Sequence, residues 1–331
     1  MSAIKHILIT GGAGFIGSHL CETLLAKGYA VTAVDNFVTS RKENLSSVLK
    51  HSQFHLLEWD VCQPLPEKEL PLLQKYGLFG LLHFACPASP VDFEKIPFEI
   101  LAVDSLGTFN TVDTALKYDA RYLLASTSEI YGDPLEHPQK ETYFGNVNTV
   151  GPRSCYDETK RFSEALVSSA VRGLGKFRGR SYKPLNGGMV RIFNTYGPRM
   201  RPDDGRVVPE LCMQALRGED FTICGDGQQT RSFCYVTDLV DGIVRLFESN
   251  IKDPVNIGNP VERSILDFAE VILKLTGSKS KIKHLPARQD DPRQRCPDIT
   301  RAKTLLGWSP KVDLEQGLSA SLEYFKTHLH S

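Results

Sequence analysis

The run Gly11-Gly12-Ala13-Gly14-Phe15-Ile16-Gly17 restricts this chain more than any other feature. It joins an apolar segment, Ile7-Leu8-Ile9, to an amphipathic stretch, Phe15–Lys27. Glycines at a strand-to-helix turn permit a tight bend and close backbone approach, so the helix start can face a pyrophosphate. Such turns are common, and the context decides. A second apolar run, Ala30-Val31-Thr32-Ala33-Val34, ends at Asp35, about twenty residues on, where a carboxylate accepts from a ribose 2′-hydroxyl. An acid there repels a 2′-phosphate, which favours NAD over NADP even though Arg41 and Lys42 follow. The plainer reading of Asp35 is a turn-capping carboxylate.

The alternation continues. Phe54-His55-Leu56-Leu57, Leu81-Leu82-His83-Phe84 and Tyr122-Leu123-Leu124-Ala125 read as buried strands, and Phe93–Lys117 as an amphipathic helical stretch. The pattern predicts a doubly wound parallel sheet with helices on both faces. Asp60, after the third strand, is expected either at the adenine edge or as an ordinary loop acid. Regularity fades after about residue 190, where Gly197-Pro198, Pro202, Gly205, Gly225 and Gly227 punctuate shorter elements. A chain of 331 residues suggests about two domains. Because it returns to the sheet near Tyr235–Asn259, the domains should interleave: residues 1–193 and 235–260 for NAD, and 194–234 and 261–331 as a smaller α/β substrate domain.

Lys+Arg and Asp+Glu both number 39, which leaves no electrostatic footprint for nucleic acid or an anionic membrane. No run approaches the roughly 18–20 apolar residues of a membrane span. A strand-like Ile4–Thr10 leaves no room for a signal peptide, so a cytoplasmic protein is expected. Eight cysteines, none within nine positions of another, exclude CxxC motifs; no metal is expected. The stretch Val171–Gly188 holds Arg172, Lys176, Arg178, Arg180 and Lys183 with no acidic residue. It reads as a phosphate- or partner-binding loop or, more plainly, as a mobile, solvated insertion.

Tyr156-Asp157-Glu158-Thr159-Lys160 sets a phenol and an ammonium four residues apart, on one helix face. A free tyrosine, with pKa ~10, is a poor base at neutral pH. A neighbouring cation favours the phenolate. Ser126-Thr127-Ser128-Glu129 closes the fifth strand, with hydroxyls suited to hold the oxygen that Tyr156 deprotonates. Cys155 has no histidine close in sequence and reads as steric filler.

These segments resemble the extended short-chain dehydrogenase/reductases that act on nucleotide sugars, and most closely the UDP-glucuronic acid decarboxylases. The resemblance runs through Asp35-Asn36-Phe37, Pro87-Ala88-Ser89-Pro90, Leu124–Pro134, Gly151–Glu158, Arg191–Met200, Asp204–Val208, Gln229-Thr230-Arg231 and Asp290–Ile299. Its most specific element is Thr-Ser-Glu at 127–129, where sugar dehydratases usually carry Thr-Asp-Glu. The resemblance implies C4 oxidation of UDP-glucuronate by tightly bound NAD, loss of carbon dioxide through a ketone beta to the carboxylate, and re-reduction to UDP-xylose. A dehydratase needs an acid to expel a hydroxyl; Ser128 removes that acid and a charge that would repel the carboxylate.

In this reading Tyr156 is the base, Lys160 tunes it and Thr127 orients the C4 oxygen. Ser128, Glu129 and Arg295 surround the reacting carboxylate. Gly11, Gly14, Phe15, Ile16, Gly17, Asp35, Asn36, Thr39, Asp60, Val61 and Ala125, with Tyr156 and Lys160, are the implied NAD contacts. Pro87, Ser89, Asn110, Asn194, Arg206, Arg231 and Arg295 are the implied UDP-sugar contacts. The helical stretches around Phe93–Lys117 and Arg153–Ala170 resemble those that pair in a homodimer. Three departures stand out: Cys86 where serine is usual, Ala102 where a lysine is common, and the long Val171–Gly188 connection. The rival activities are UDP-glucuronate 4-epimerisation and an oxidative decarboxylation that releases the 4-keto-pentose; a nucleotide-sensing scaffold without turnover is opposed by the intact Thr127, Tyr156 and Lys160.

Overall fold

The computed structural model describes residues 4–173, 175–287 and 290–329. Leu174, inside the basic stretch, and the extreme ends of the two expected domains lie outside the described residues.

The five apolar runs form His6–Thr10, Ala30–Asp35, Phe54–Glu58, Gly80–His83 and Arg121–Thr127, and two further strands, Gly187–Ile192 and Pro254–Ile257, extend the sheet. From edge to edge the order is 254–257, 187–192, 121–127, 80–83, 6–10, 30–35, 54–58, with every pair parallel. Strands covered on both faces cannot alternate polar and apolar residues, which is why His6–Thr10 and Arg121–Thr127 are buried at every position. The order reverses between 6–10 and 80–83, so a crevice opens at their carboxyl ends.

Helices Phe15–Ala26 and Val236–Glu248 cover one face; Thr108–Lys117 and Ser154–Arg172 cover the other. The expected single helical stretch 93–117 is broken. Pro90–Lys95 ends at Ile96 (φ −136°), Pro97–Ala102 begins anew at a proline, and a π-type turn at Val103–Gly107 precedes Thr108–Lys117. Proline has no N–H to continue the helix from before, and π turns gather where a side chain is re-aimed for function. Here the re-aimed residue is Asp104.

A third core lies around Val207–Arg217, Ile265–Thr276 and Leu314–Lys326, where Leu211, Phe221, Phe268 and Phe325 are fully buried. Each such side chain contributes about 1.5–3 kcal/mol. Ile299, Ala302 and Trp308 belong instead to the core of the large sheet, and Trp308 Nε1 donates to the Asp238 carbonyl at 3.0 Å. Thus part of the expected 261–331 domain packs on the NAD side. A small sheet, in the order Glu262–Ser264, Thr230–Ser232, Gln294–Arg295, puts Arg231 directly beside Arg295. No helix among the described residues is long and apolar enough to cross a membrane. All eight cysteines are free.

Candidate active site

A long cleft runs over the carboxyl ends of the strands, bounded by the turn after residue 10, by Thr127–Glu129, by Tyr156 and Lys160, and by segments of the C-terminal core. At one end, Gly14 caps Phe15–Ala26 without any side-chain hydrogen bond, so the first helical N–H groups are open to an anion. A Cβ on Gly17 would meet the Gly11 carbonyl oxygen at 2.0 Å, and Gly11, at φ +69°, would place one 2.6 Å from the Phe84 carbonyl oxygen. The turn therefore tolerates only glycine at these two positions.

Gly11, Gly14, Phe15, Ile16, Gly17, Thr39, Ala125, Tyr156 and Lys160 line the cleft. Asp35 lies behind that wall: its carboxylate accepts from the backbone N–H of Ala13 at 2.8 Å, from Phe37 N–H at 3.0 Å and from Ser40 Oγ at 2.6 Å. These bonds tie the glycine turn to the end of its strand. Asn36 accepts from Val38 N–H, and exposed Asp60 accepts from Cys62 N–H at 2.9 Å; both serve their own loops. Val61 is buried and its carbonyl accepts from Asn110.

Tyr156 and Lys160 arrive together because Tyr156, Lys160, Ser163 and Val167 recur at helical spacing on the buried face of Ser154–Arg172. Lys160 Nζ lies 5.8 Å from the Tyr156 ring centroid and donates to the Ala125 carbonyl at 3.1 Å. Phe93 stacks on the phenol with centroids 5.0 Å apart. Thr127 stands beside the Tyr156 hydroxyl. Burial pushes the phenol well above its ordinary pKa, while Lys160 and Thr127 pull it down. The expected lowering by the lysine is present, but burial outweighs it.

A smaller contribution in the same direction comes from Asp104, which the sequence did not single out. This fully buried acid binds Lys160 Nζ at 2.9 Å through one oxygen and accepts from Cys86 Sγ at 3.1 Å through the other. Its charge raises both Lys160 and Tyr156. Removing one partner of such a buried pair costs about 3–5 kcal/mol. The departure at Cys86 is therefore part of the same cluster, whereas Ala102 lies off it. His83, behind Lys160, stays neutral: burial and the lysine charge bring it down to about 3. An acid between Val103 and Leu106 in an otherwise apolar helical run is the signal that could have marked Asp104.

At the other end, charge concentrates. Glu129 pairs with Arg295 and, at 2.5 Å, with Arg153. Burial alone would raise its carboxyl, but the two guanidinium groups hold it well below the usual range. Arg295, 2% exposed, also donates to the Gly132 carbonyl at 2.9 Å, and its Nε is buried without a partner. Arg231 pairs with Asp291 at 3.0 Å. Ser128, nearly fully buried, lies on the cleft wall between Thr127 and Glu129 as a neutral hydroxyl. Arg153 is a second omission; a charged residue just ahead of the catalytic helix was its only trace.

Arg206 pairs with Asp204, whose carbonyl accepts from Ser89, and both line the cleft with Asn194. Pro87 and Asn110 do not line it. Asn110 is buried, donates to Val61 O at 2.9 Å and accepts from Arg178 at 2.6 Å. In the structure this amide bonds to the chain itself, away from the cleft wall. Arg178 belongs to the basic stretch, most of whose described residues are exposed, as the plainer reading expected, but which is anchored at three points. Phe177 stacks on Phe109 at 5.6 Å, Tyr182 donates to Asp113 at 3.0 Å and Leu185 is buried.

A Rossmann sheet, an uncapped glycine-rich helix start and a Tyr–Lys pair at the fifth strand define an NAD-dependent enzyme of the extended short-chain dehydrogenase/reductase class. A family model described as GDP-mannose 4,6 dehydratase matches residues 8–320. UDP-glucuronic acid decarboxylase 1 of Danio rerio is 48% identical over 98% of this chain and 73% of its own length. UDP-glucuronic acid decarboxylase 3 of Arabidopsis thaliana is 47% identical over 98% and 90%. The Bacillus cereus UDP-glucuronic acid 4-epimerase, solved with UDP-glucuronic acid and NAD, superposes with TM-score 0.85 at 30% identity, covering 98% of this chain and 99% of that one. Within the class, the chain belongs to the UDP-glucuronic acid decarboxylase family.

Proposed function

We infer that this chain converts UDP-glucuronate to UDP-xylose and carbon dioxide on tightly bound NAD. The residues present fit that cofactor: an uncapped helix N-terminus awaits its pyrophosphate, and Gly11 and Gly17 leave no room for a side chain in the turn. Bound there, NAD supplies the reversible two-electron oxidant that a redox-neutral decarboxylation requires.

The chain's own groups do the rest. Tyr156 takes the proton of the sugar C4 hydroxyl and later returns it; Thr127 orients that oxygen, and the Lys160 cation stabilises the phenolate. The C4 ketone lies beta to the carboxylate, so the electron pair left by carbon dioxide enters an enolate, and C5 takes a proton from water to restore the ketone before C4 is re-reduced. Ser128 offers hydrogen bonds without a competing charge. Arg295 and Arg231 draw the substrate carboxylate to this end, and Glu129 holds Arg295 in place with Arg153. Arg206, Asn194 and Ser89 serve the UDP-sugar, guanidinium groups being suited to diphosphate oxygens.

The observation that carries this reading is the neutral Ser128 on the cleft wall next to the Glu129–Arg295 pair, where a dehydratase needs an acid. An NMR time course with UDP-glucuronate tests it. A pentose nucleotide with no net reduced cofactor is expected; a retained carboxylate means 4-epimerisation, and stoichiometric cofactor reduction means the 4-keto-pentose-releasing variant.

The interleaved division 1–193 with 235–260 against 194–234 with 261–331 is proposed with one refinement, since 299–308 pack on the NAD side. A homodimer is proposed through the helices around 97–117 and 154–172, where Phe98, Leu101, Leu106 and Phe162 are exposed. Eight free cysteines accord with a reducing, cytoplasmic location.

A further inference from the structure

The small sheet that carries Arg231 and Arg295 has a second cluster of donor atoms behind it. Neighbouring side chains on a strand point to opposite faces; Ser232 and Cys296 follow the two arginines and neither lines the cleft. There Nε2 of His137, a carboxylate oxygen of Glu262 and Sγ of Cys296 all lie within 4.8 Å of one another. His137 Nε2 and Glu262 Oε2 are 2.8 Å apart.

The backbones that carry these groups are already tied together. Gln139 N–H donates to the Cys296 carbonyl, and Cys296 N–H donates to Gln139 Oε1, each at 2.8 Å. Glu262 is registered against Ser232 in the sheet. The other Glu262 oxygen accepts from Thr230 Oγ1 at 2.6 Å, which fixes the carboxylate and aims Oε2 at the cluster. The Ser232 hydroxyl is fully buried, makes no hydrogen bond and stands near the Cys296 sulfur. An ion pair between His137 and Glu262 accounts for two of these groups. The thiol donates to the Pro260 carbonyl at 3.4 Å, which leaves its sulfur lone pairs open to a metal, and the Ser232 hydroxyl stays without a partner.

We propose that His137, Glu262 and Cys296 bind a divalent transition metal, zinc by the chemistry of the donors, and so clip three separate chain segments together behind the active-site arginines. Sulfur and imidazole exclude calcium and magnesium, which take oxygen ligands. Imidazole, carboxylate and thiolate suit tetrahedral zinc, with water on the half-exposed His137 side as the fourth ligand. Bonds of about 2.0–2.3 Å put tetrahedral ligand atoms roughly 3.3–3.7 Å apart. The His–Glu contact therefore opens by about half an ångström and the sulfur moves inward, both by side-chain rotation. Binding releases the thiol proton to solvent, and one thiolate with one carboxylate balances the two charges of the ion. Thr230 and Ser232 act as positioning residues for the ligands.

The test uses the full chain, stripped with a chelator and titrated with Co²⁺ and Zn²⁺. The expected result is one equivalent of Co²⁺ bound with a sulfur-to-metal charge-transfer absorption, and a rise in thermal midpoint with Zn²⁺. Both signals should vanish in Cys296→Ala and in His137→Gln, the latter at an exposed position that leaves the core untouched. Thr230→Val should weaken binding by about 10–100-fold. Absence of stoichiometric binding, or binding that survives His137→Gln in folded protein, overturns the proposal.

Discussion

At the nucleotide end of the cleft, the pyrophosphate turn is built within residues 6–35: strand, glycine turn, uncapped helix, second strand and the carboxylate that ties the turn back at 2.8 Å. At the sugar end, Glu129, Arg153, Arg231 and Arg295 come from four separate segments, and Glu129 and Arg295 are 166 residues apart in the chain. The first end is a local backbone device suited to a pyrophosphate. The second is a balance of buried charges, in which each group's protonation depends on partners brought from elsewhere. Specificity for one sugar acid can therefore change without disturbing the dinucleotide site.

That contrast can be broken by experiment. The largest effect is expected from Tyr156→Phe: a fall in turnover of about 10²–10⁴-fold, the usual worth of a positioned acid–base group, with NAD still bound. Unchanged activity would remove the assigned base. Arg295→Ala should cost about 10–100-fold in turnover, the worth of a lost charged hydrogen bond, while NAD affinity holds. Equal losses in both would join the two ends that are here held separate.

Asp104→Asn sharpens the comparison at the seam. The Asp104 charge raises Tyr156, so removing it lowers the phenol and moves the acid limb of the pH–rate profile to lower pH. A profile shifted upward, or unmoved, would show that Asp104 only shapes the helix. Smallest is deletion of residues 176–181 from the basic stretch. Turnover should stay largely intact, with about 1–2 kcal/mol of stability lost with the Phe177 stacking and the Arg178–Asn110 bond. A folded but inactive product would give that segment a role in catalysis.

The parallel sheet, the glycine turn and the Tyr156–Lys160 pair were legible in the chain because each rests on a short-range signal: continuous apolar runs for strands covered on both faces, a 3.6 period for helices, and glycine where backbones touch. Resemblance added Ser128 and Arg295. The break at Pro97 was also written in the chain, but its consequence, a π turn that aims Asp104 at Lys160, was not. Nor could spacing tell that Asn110 would be spent on Arg178 and Val61.

The sequence by itself determined the elements, their order and the residues able to do acid–base chemistry, because those follow from local backbone preference and side-chain type. Only the tertiary structure decided which charges meet. Pairing energies depend on distance and on exclusion of water, and both are set by packing between segments far apart in the chain. That is why Asp104 beside Lys160, and Glu129 between Arg153 and Arg295, emerge only once the chain has folded.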